Sequence, residues 1–218
     1  MRVRIPGNLA IFFAALLLLS QWAAAQTAPQ LTPFSADVDY TSTHGGKTSH
    51  EMSGKMYVSR QYMRSEMEAG PGGKGINITN FATKTSYVLM PDQHMYMEFK
   101  ANDAMAHRRG MGPNIKPLLD PRNPCAYETE MTCKNLGTEQ VNGRSCDHWR
   151  ITHKDGSVSD SWIDQRLHFP IKTVTEGSSW QLTNIKEGEP AASLFQIPPG
   201  YQKMDMGQMM QGMRPPQE

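Results

Sequence analysis

The 218-residue sequence has no HExxH, GxSxG, phosphate-loop or dinucleotide-binding motif. Their absence removes the zinc peptidases, the α/β-hydrolases and the common nucleotide-binding enzymes from consideration. Charge of one sign is also missing: 22 basic residues face 21 acidic ones, a formal net charge of +1. That balance supplies no electrostatic case for nucleic acid or an anionic membrane surface. Cysteine is scarce, with three residues and no CxxC spacing, and no ligand spacing repeats, which argues against a structural zinc site. The seven histidines (His44, His50, His94, His107, His148, His153 and His168) are scattered, mostly at turns or polar strand positions. Asp160 and Asp164 flank Trp162 on one strand, with no cleft between them to make an acid/base pair. The expectation is a non-enzymatic protein without a cofactor.

One long apolar run is present, and it lies at the start. Arg2 and Arg4 precede the apolar stretch from Leu9 to Leu19, and Ala23-Ala24-Ala25 follows as a small-residue cleavage pattern. The run is short for a bilayer span and leads into polar sequence, so residues 1–25 read as a secretory signal peptide cut after Ala25. No cysteine follows the cut, which argues against an N-terminal lipid anchor, and no later stretch is apolar enough to cross a membrane. The expected location is the periplasm or the medium. Removing the signal leaves 193 residues, eight leucines and fifteen methionines. Methionine outnumbers leucine nearly two to one, which points to an interior with unusual adaptability.

Past a linker at 26–33, the pattern is period two. Phe34, Ala36, Val38 and Tyr40 alternate with polar residues, then Met52, Met56 and Val58, then Met63 and Met67. Ile76 and Ile78, Tyr87–Met90, and Met95, Met97 and Phe99 continue the series. Short turns join these segments, so they form an antiparallel meander rather than a βαβ fold. Residues 100–124 break the rhythm with four prolines and read as a lid-like insert. Strands resume at Lys134, and Asn142-Gly143 is the strongest hairpin signal in the chain. The reading is one all-β domain over 34–202 with short helices, an antiparallel meander of about eleven strands. A Met-rich tail over 203–218 follows, whose composition predicts disorder.

Three cysteines cannot all pair within one chain. If Asn142-Gly143 sets a two-residue hairpin, Cys146 faces Glu139, not Cys133. Cys125–Cys133 is the favoured bridge, Cys125–Cys146 the competitor. The leftover thiol is either buried and inert or free to pair with another chain.

The runs Trp162-Ile163-Asp164, Leu167-His168-Phe169-Pro170-Ile171-Lys172 and Phe195-Gln196-Ile197-Pro198-Pro199-Gly200-Tyr201 resemble the end of certain exported bacterial half-barrels. The Lol-type outer-membrane lipoprotein carriers are the best understood of these. The hairpin Val88-Leu89-Met90-Pro91 to Met95-Tyr96-Met97 is similar to an uncharacterised domain family placed near them. The resemblance spans 34–202 and implies that the sheet is an antiparallel, strongly curved half-open barrel around an apolar cavity, with loops or helices as its lid. No residue matches the carriers' cavity arginine, so it implies the fold and not lipoprotein transport itself.

The expected partner is an apolar small molecule, such as a lipid, or an acylated protein, held in the concave face. Met52, Met56, Met63, Met67, Met95, Met97, Trp149 and Trp162 are the candidate lining residues. The competing account of the same methionines is an ordinary filled core. A second reading assigns Cu(I) binding to the tail through Met204, Met206, Met209, Met210 and Met213, because thioethers select soft cations. A third is a structural or interaction module of the cell envelope.

Overall fold

A computed structural model describes residues 31–44, 47–68, 73–100, 123–126 and 130–204. The signal, most of the linker and insert, and tail residues 205–218, with Met206, Met209, Met210 and Met213, lie outside the described residues. Among the described residues no helix is long and apolar enough to cross a membrane.

The strands are β1 (Phe34–His44), β2 (Lys47–Val58), β3 (Tyr62–Glu68), β4 (Lys74–Asn80), β5 (Thr85–Met90) and β6 (Met95–Lys100). The second series is β7 (Met131–Val141), β8 (Arg144–His153), β9 (Val158–Asp164), β10 (Phe169–Thr175), β11 (Ser178–Glu187) and β12 (Gln202–Lys203). All belong to one curved, open sheet in the order β12-β6-β5-β4-β3-β2-β1-β11-β10-β9-β8-β7. Two meanders are thus zipped together where β1 pairs with β11. Every pairing is antiparallel except β12 on β6. The all-β, antiparallel architecture is as the alternation predicts, and the curved, open sheet is as the resemblance implies.

Local chemistry explains the turns. Asn142 and Gly143 both take positive φ (52° and 76°), and Val141 pairs directly with Arg144. That is the two-residue hairpin geometry that Asn-Gly favours, and it does set Cys146 opposite Glu139. Cys125 and Cys133 are bridged, with Cα atoms 5.8 Å apart, while Cys146 is a buried free thiol. Burial pushes the Cys146 pKa up to about 11, which leaves it protonated and inert.

Two boundaries shift. Leu31, in the expected linker, is buried in the main core, and Thr32 donates through its backbone N–H to the Leu167 carbonyl and through Oγ1 to that of Arg166. At the other end, Lys203 belongs to β12 and the Met204 N–H donates to the Tyr96 carbonyl, so the sheet extends past the expected start of the tail.

The cores lie on both sides of the sheet. The larger one gathers Phe34, Val38, Met56, Val58, Phe169, Ile171 and Leu182. A smaller one, Ile76, Ile78 and Leu89, lies under Tyr87, Tyr96, Phe195 and Tyr201. The segment after β11 forms a 3-10 turn at Ala192–Phe195 and straps this second core: Phe195 stacks on Tyr62 at 5.5 Å, and Arg64 Nη1 donates to the Leu194 carbonyl at 2.7 Å.

Candidate functional site

Directly paired residues of neighbouring strands project from the same face of a sheet. Met52 pairs with Tyr40, Met56 with Ala36, Met63 with Val58, and Met67 with Gly54. Met63 then pairs with Thr79, Thr79 with Ser86, and Ser86 with Phe99, whose strand also carries Met95 and Met97 on the same side. All six strand methionines named from the sequence therefore share one face. Met90, paired with Met95, joins them. It escaped notice because it sits inside the continuous run Val88-Leu89-Met90, where period two is unreadable.

The two tryptophans separate. Tyr40 pairs with Trp180, Trp180 with Thr173, Thr173 with Ser161, and Ser161 with Trp149, which places Trp149 on the methionine face. Trp162 follows Ser161 in the chain and pairs with His148 and Lys172, so it lies on the opposite face. Lining one site with both is therefore corrected: two residues thirteen apart on facing strands of a hairpin reverse sides according to register, which the sequence does not state.

The methionine face has relief. Met67 is flanked by glycines on both neighbouring strands, Gly54 and Gly75. A Cβ placed on Gly54 would meet the Glu66 carbonyl oxygen at 1.9 Å and the Met67 sulfur at 2.9 Å, whereas one on Gly75 would meet nothing within 4 Å. The thioether thus lies against one glycine and leaves open space over the other. Beside it, Asn77, Thr79 and Ser86 form a closed hydrogen-bonded cluster, with Asn77 Nδ2 donating to Ser86 Oγ at 2.9 Å and Thr79 Oγ1 to Asn77 Oδ1 at 3.0 Å. At the far side of the sheet the Trp149 indole N–H is buried with no acceptor among the described residues. Buried donors usually find partners, so this one is available to an acceptor on a ligand.

Away from the smaller core, the opposite face is polar and internally compensated. Lys55 bonds Asp37 at 2.8 Å, and Glu66 takes Arg64 at 2.7 Å and Lys74 at 2.8 Å. Burial raises the Glu66 pKa, but the two cations outweigh it and hold the carboxyl below its ordinary value. Asp37, Lys55, Glu66 and Lys74 line a groove of about 500 Å³ together with Asp39, Ser53 and Glu68. Further along, Trp162 is sandwiched between the His148 ring, 4.3 Å away, and the Lys172 ammonium, 4.7 Å away, while its indole donates to Glu139. Glu139 also accepts from His148 Nδ1 at 2.8 Å. His148 Nε2 lies 3.4 Å from Asp160 but off the line of a hydrogen bond. Asp160 is clasped by Arg150 at 2.9 Å through both oxygens. Asp164 is engaged by Arg144 and accepts from the backbone N–H groups of Arg166 and Leu167, which fixes the β9–β10 turn. Each carboxylate that brackets Trp162 is thus tied into a structural pair.

A family model described as "Domain of unknown function (DUF4412)" matches residues 38–168. No curated protein matches the chain in sequence. Among solved structures, an uncharacterized conserved protein from Thermus thermophilus aligns with a TM-score of 0.53 at 10% identity, over 79% of this chain and 90% of that one. MucB, solved in complex with MucA from Pseudomonas aeruginosa, gives a TM-score of 0.49 at 14% identity. That alignment covers 78% of this chain and 56% of MucB, so this chain spans little more than half of that protein. A LolA superfamily protein from Nitrosomonas europaea gives 0.37 at 9% identity, over 77% of this chain and 91% of its own. At such identities the likeness is one of fold alone.

Proposed function

The chain belongs to the DUF4412 family of domains of unknown function, and we propose that it is an exported, non-enzymatic carrier that holds a lipid or the acyl group of a modified protein on its methionine face. The observation that carries this reading is the register, which brings Met52, Met56, Met63, Met67, Met95, Met97 and Trp149 to a single side of the sheet. Unbranched, polarisable thioethers adapt to chains of varied shape better than branched aliphatic groups do. The open space over Gly75 gives an acyl chain a place to lie against Met67. The unpaired Trp149 N–H offers a hydrogen bond to a carbonyl or carboxylate at the ligand's head. Desolvation supplies the attraction: burying about 300 Å² of acyl surface is worth roughly 7 kcal/mol before the cost of association. The signal-like first 25 residues support export to the periplasm or the medium.

Native mass spectrometry of gently purified full chain tests the reading. A co-purifying mass that extracts into organic solvent is the expected result. A protein that remains bare, and that takes up neither fatty acid nor phospholipid on mixing, sinks it.

A further inference from the structure

We propose that Met90, Met95, Met97 and Met204 form a binding site for a soft monovalent cation, Cu(I) or its analogue Ag(I), where β5, β6 and β12 meet. The register sets the four methionines on one face of three neighbouring strands. Met90 is the direct cross-strand partner of Met95, and Met97 follows Met95 by two residues on the same face. β12 runs parallel to β6, with Gln202 beside Met95 and Lys203 beside Tyr96, so Met204 comes beside Met97. Two contacts fix its orientation. The Met204 N–H donates to the Tyr96 carbonyl at 2.8 Å, and the preceding Lys203 reaches Glu98 at 2.6 Å. Glu98 pairs with Tyr87 on the face away from the methionines. Neighbours on a strand alternate in direction, so Lys203 on that side sets Met204 on the methionine side.

Neighbouring strands are about 4.8 Å apart and residues i and i+2 about 6.6 Å apart. Methionine side chains, with three rotatable bonds, can converge their sulfurs across such spacings. Three or four thioethers select Cu(I) over Zn²⁺ or Mg²⁺, because softness of the ligand set governs the choice. All four residues are half-buried, reachable from solvent yet shielded from it. Their paired or flanking neighbours on this face, Val88, Phe99 and Gln202, carry no charge and no carboxylate, imidazole or thiol. Thioethers also have no proton to lose, so binding should not vary with pH as a histidine or cysteine site would.

The test titrates the full chain with Ag(I), and with Cu(I) under reducing, oxygen-free conditions against bicinchoninate as the competing chelator. Expected is one ion per chain, with an affinity constant between about pH 5.5 and 7.5. The double variant M95L/M97L should bind at least tenfold more weakly. Leucine keeps volume and apolarity while removing sulfur, so this variant should fold, as its circular dichroism and urea unfolding would show. M204L, at the end of the strap and outside the residues named for the apolar ligand, should lose affinity for the ion and still take up a fatty-acid probe. The tail variant M206L/M209L/M210L/M213L should bind as the parent does. Loss of binding in the tail variant, undiminished binding in M95L/M97L, or the absence of a stoichiometric ion overturns the site. The fatty-acid readout is separate, so failure here leaves the apolar-carrier reading standing, and the reverse also holds.

Discussion

Replacing Gly54 with alanine should loosen β2 from β3. The added Cβ would sit 1.9 Å from the Glu66 carbonyl oxygen and 2.9 Å from the Met67 sulfur. The sulfur lies near the end of a flexible side chain and can rotate away. The carbonyl belongs to the backbone of β3, whose register with β2 runs unbroken from Ser53–Glu68 to Val58–Met63. Relief therefore requires the strands to part locally. Overpacking of this kind costs about 3 kcal/mol, the upper end of the usual range, because the opposing atom is main chain. For a domain of this size that corresponds to a fall in Tm of roughly 6–12 °C. Gly75→Ala is the matched control on the other side of Met67. Nothing lies within 4 Å of its Cβ position, so its stability should stay within about 0.5 kcal/mol of the parent. Urea unfolding followed by tryptophan fluorescence measures both. Parent-like stability of Gly54→Ala, or equal losses at the two glycines, would refute the close approach of the Glu66 carbonyl to Gly54.

Asp164 is 1% exposed. Burial raises its pKa, but Arg144 and the N–H groups of Leu167 and Arg166 outweigh burial and hold the carboxyl below its ordinary value of 3.8. Its contribution is thus complete above that value and is lost as pH falls through the lower, folded-state value. Asp164→Ala should cost about 2–4 kcal/mol at pH 7 by stranding two backbone donors and leaving Arg144 with Glu187 alone, and the deficit should shrink in acid unfolding curves as pH falls below 3.8. Cys146, with its pKa near 11, should resist a thiol-specific reagent at about pH 8 in the folded protein and react once urea unfolds it. Rapid labelling of the native chain would contradict its burial. Cys125 and Cys133 are eight residues apart, and losing so short a loop closure, in the double serine variant, should lower stability by about 2.5 kcal/mol on the chain-entropy account. A change below about 0.5 kcal/mol in urea unfolding would show that the bridge pins little.

The fold was legible where the sheet has one wet face. Phe34 to Tyr40 alternate cleanly because Ser35, Asp37 and Asp39 meet solvent-side partners such as Lys55 and Asn184. Legibility fails at β4 and β5, which are covered on both sides. There Ile76, Ile78 and Leu89 face the strap, while Thr79 and Ser86, buried to 2% and 1% exposure, face the methionines. Hydroxyls that satisfy one another within the sheet read as polar surface in a sequence, although they are interior. The strap itself hides for a different reason. β12 is two residues long and depends on β6 for its pairing, so nothing periodic marks it. The side of each tryptophan depended on registers that only the paired strands reveal. The six methionines survived as a set because each lies two or four residues from its strand neighbour, and even spacings keep a side chain on its face.

The claim that the methionine face takes up an apolar ligand is met most directly by titrating a fluorescent fatty acid into the full chain, Met67→Lys and Ser53→Lys. Met67 lies at the centre of that face, between Gly54 and Gly75, and Ser53 is exposed in the polar groove behind it. Saturable one-to-one binding is expected, weakened at least tenfold by Met67→Lys and unchanged by Ser53→Lys. Equal binding by all three proteins, or binding by none, would contradict the account.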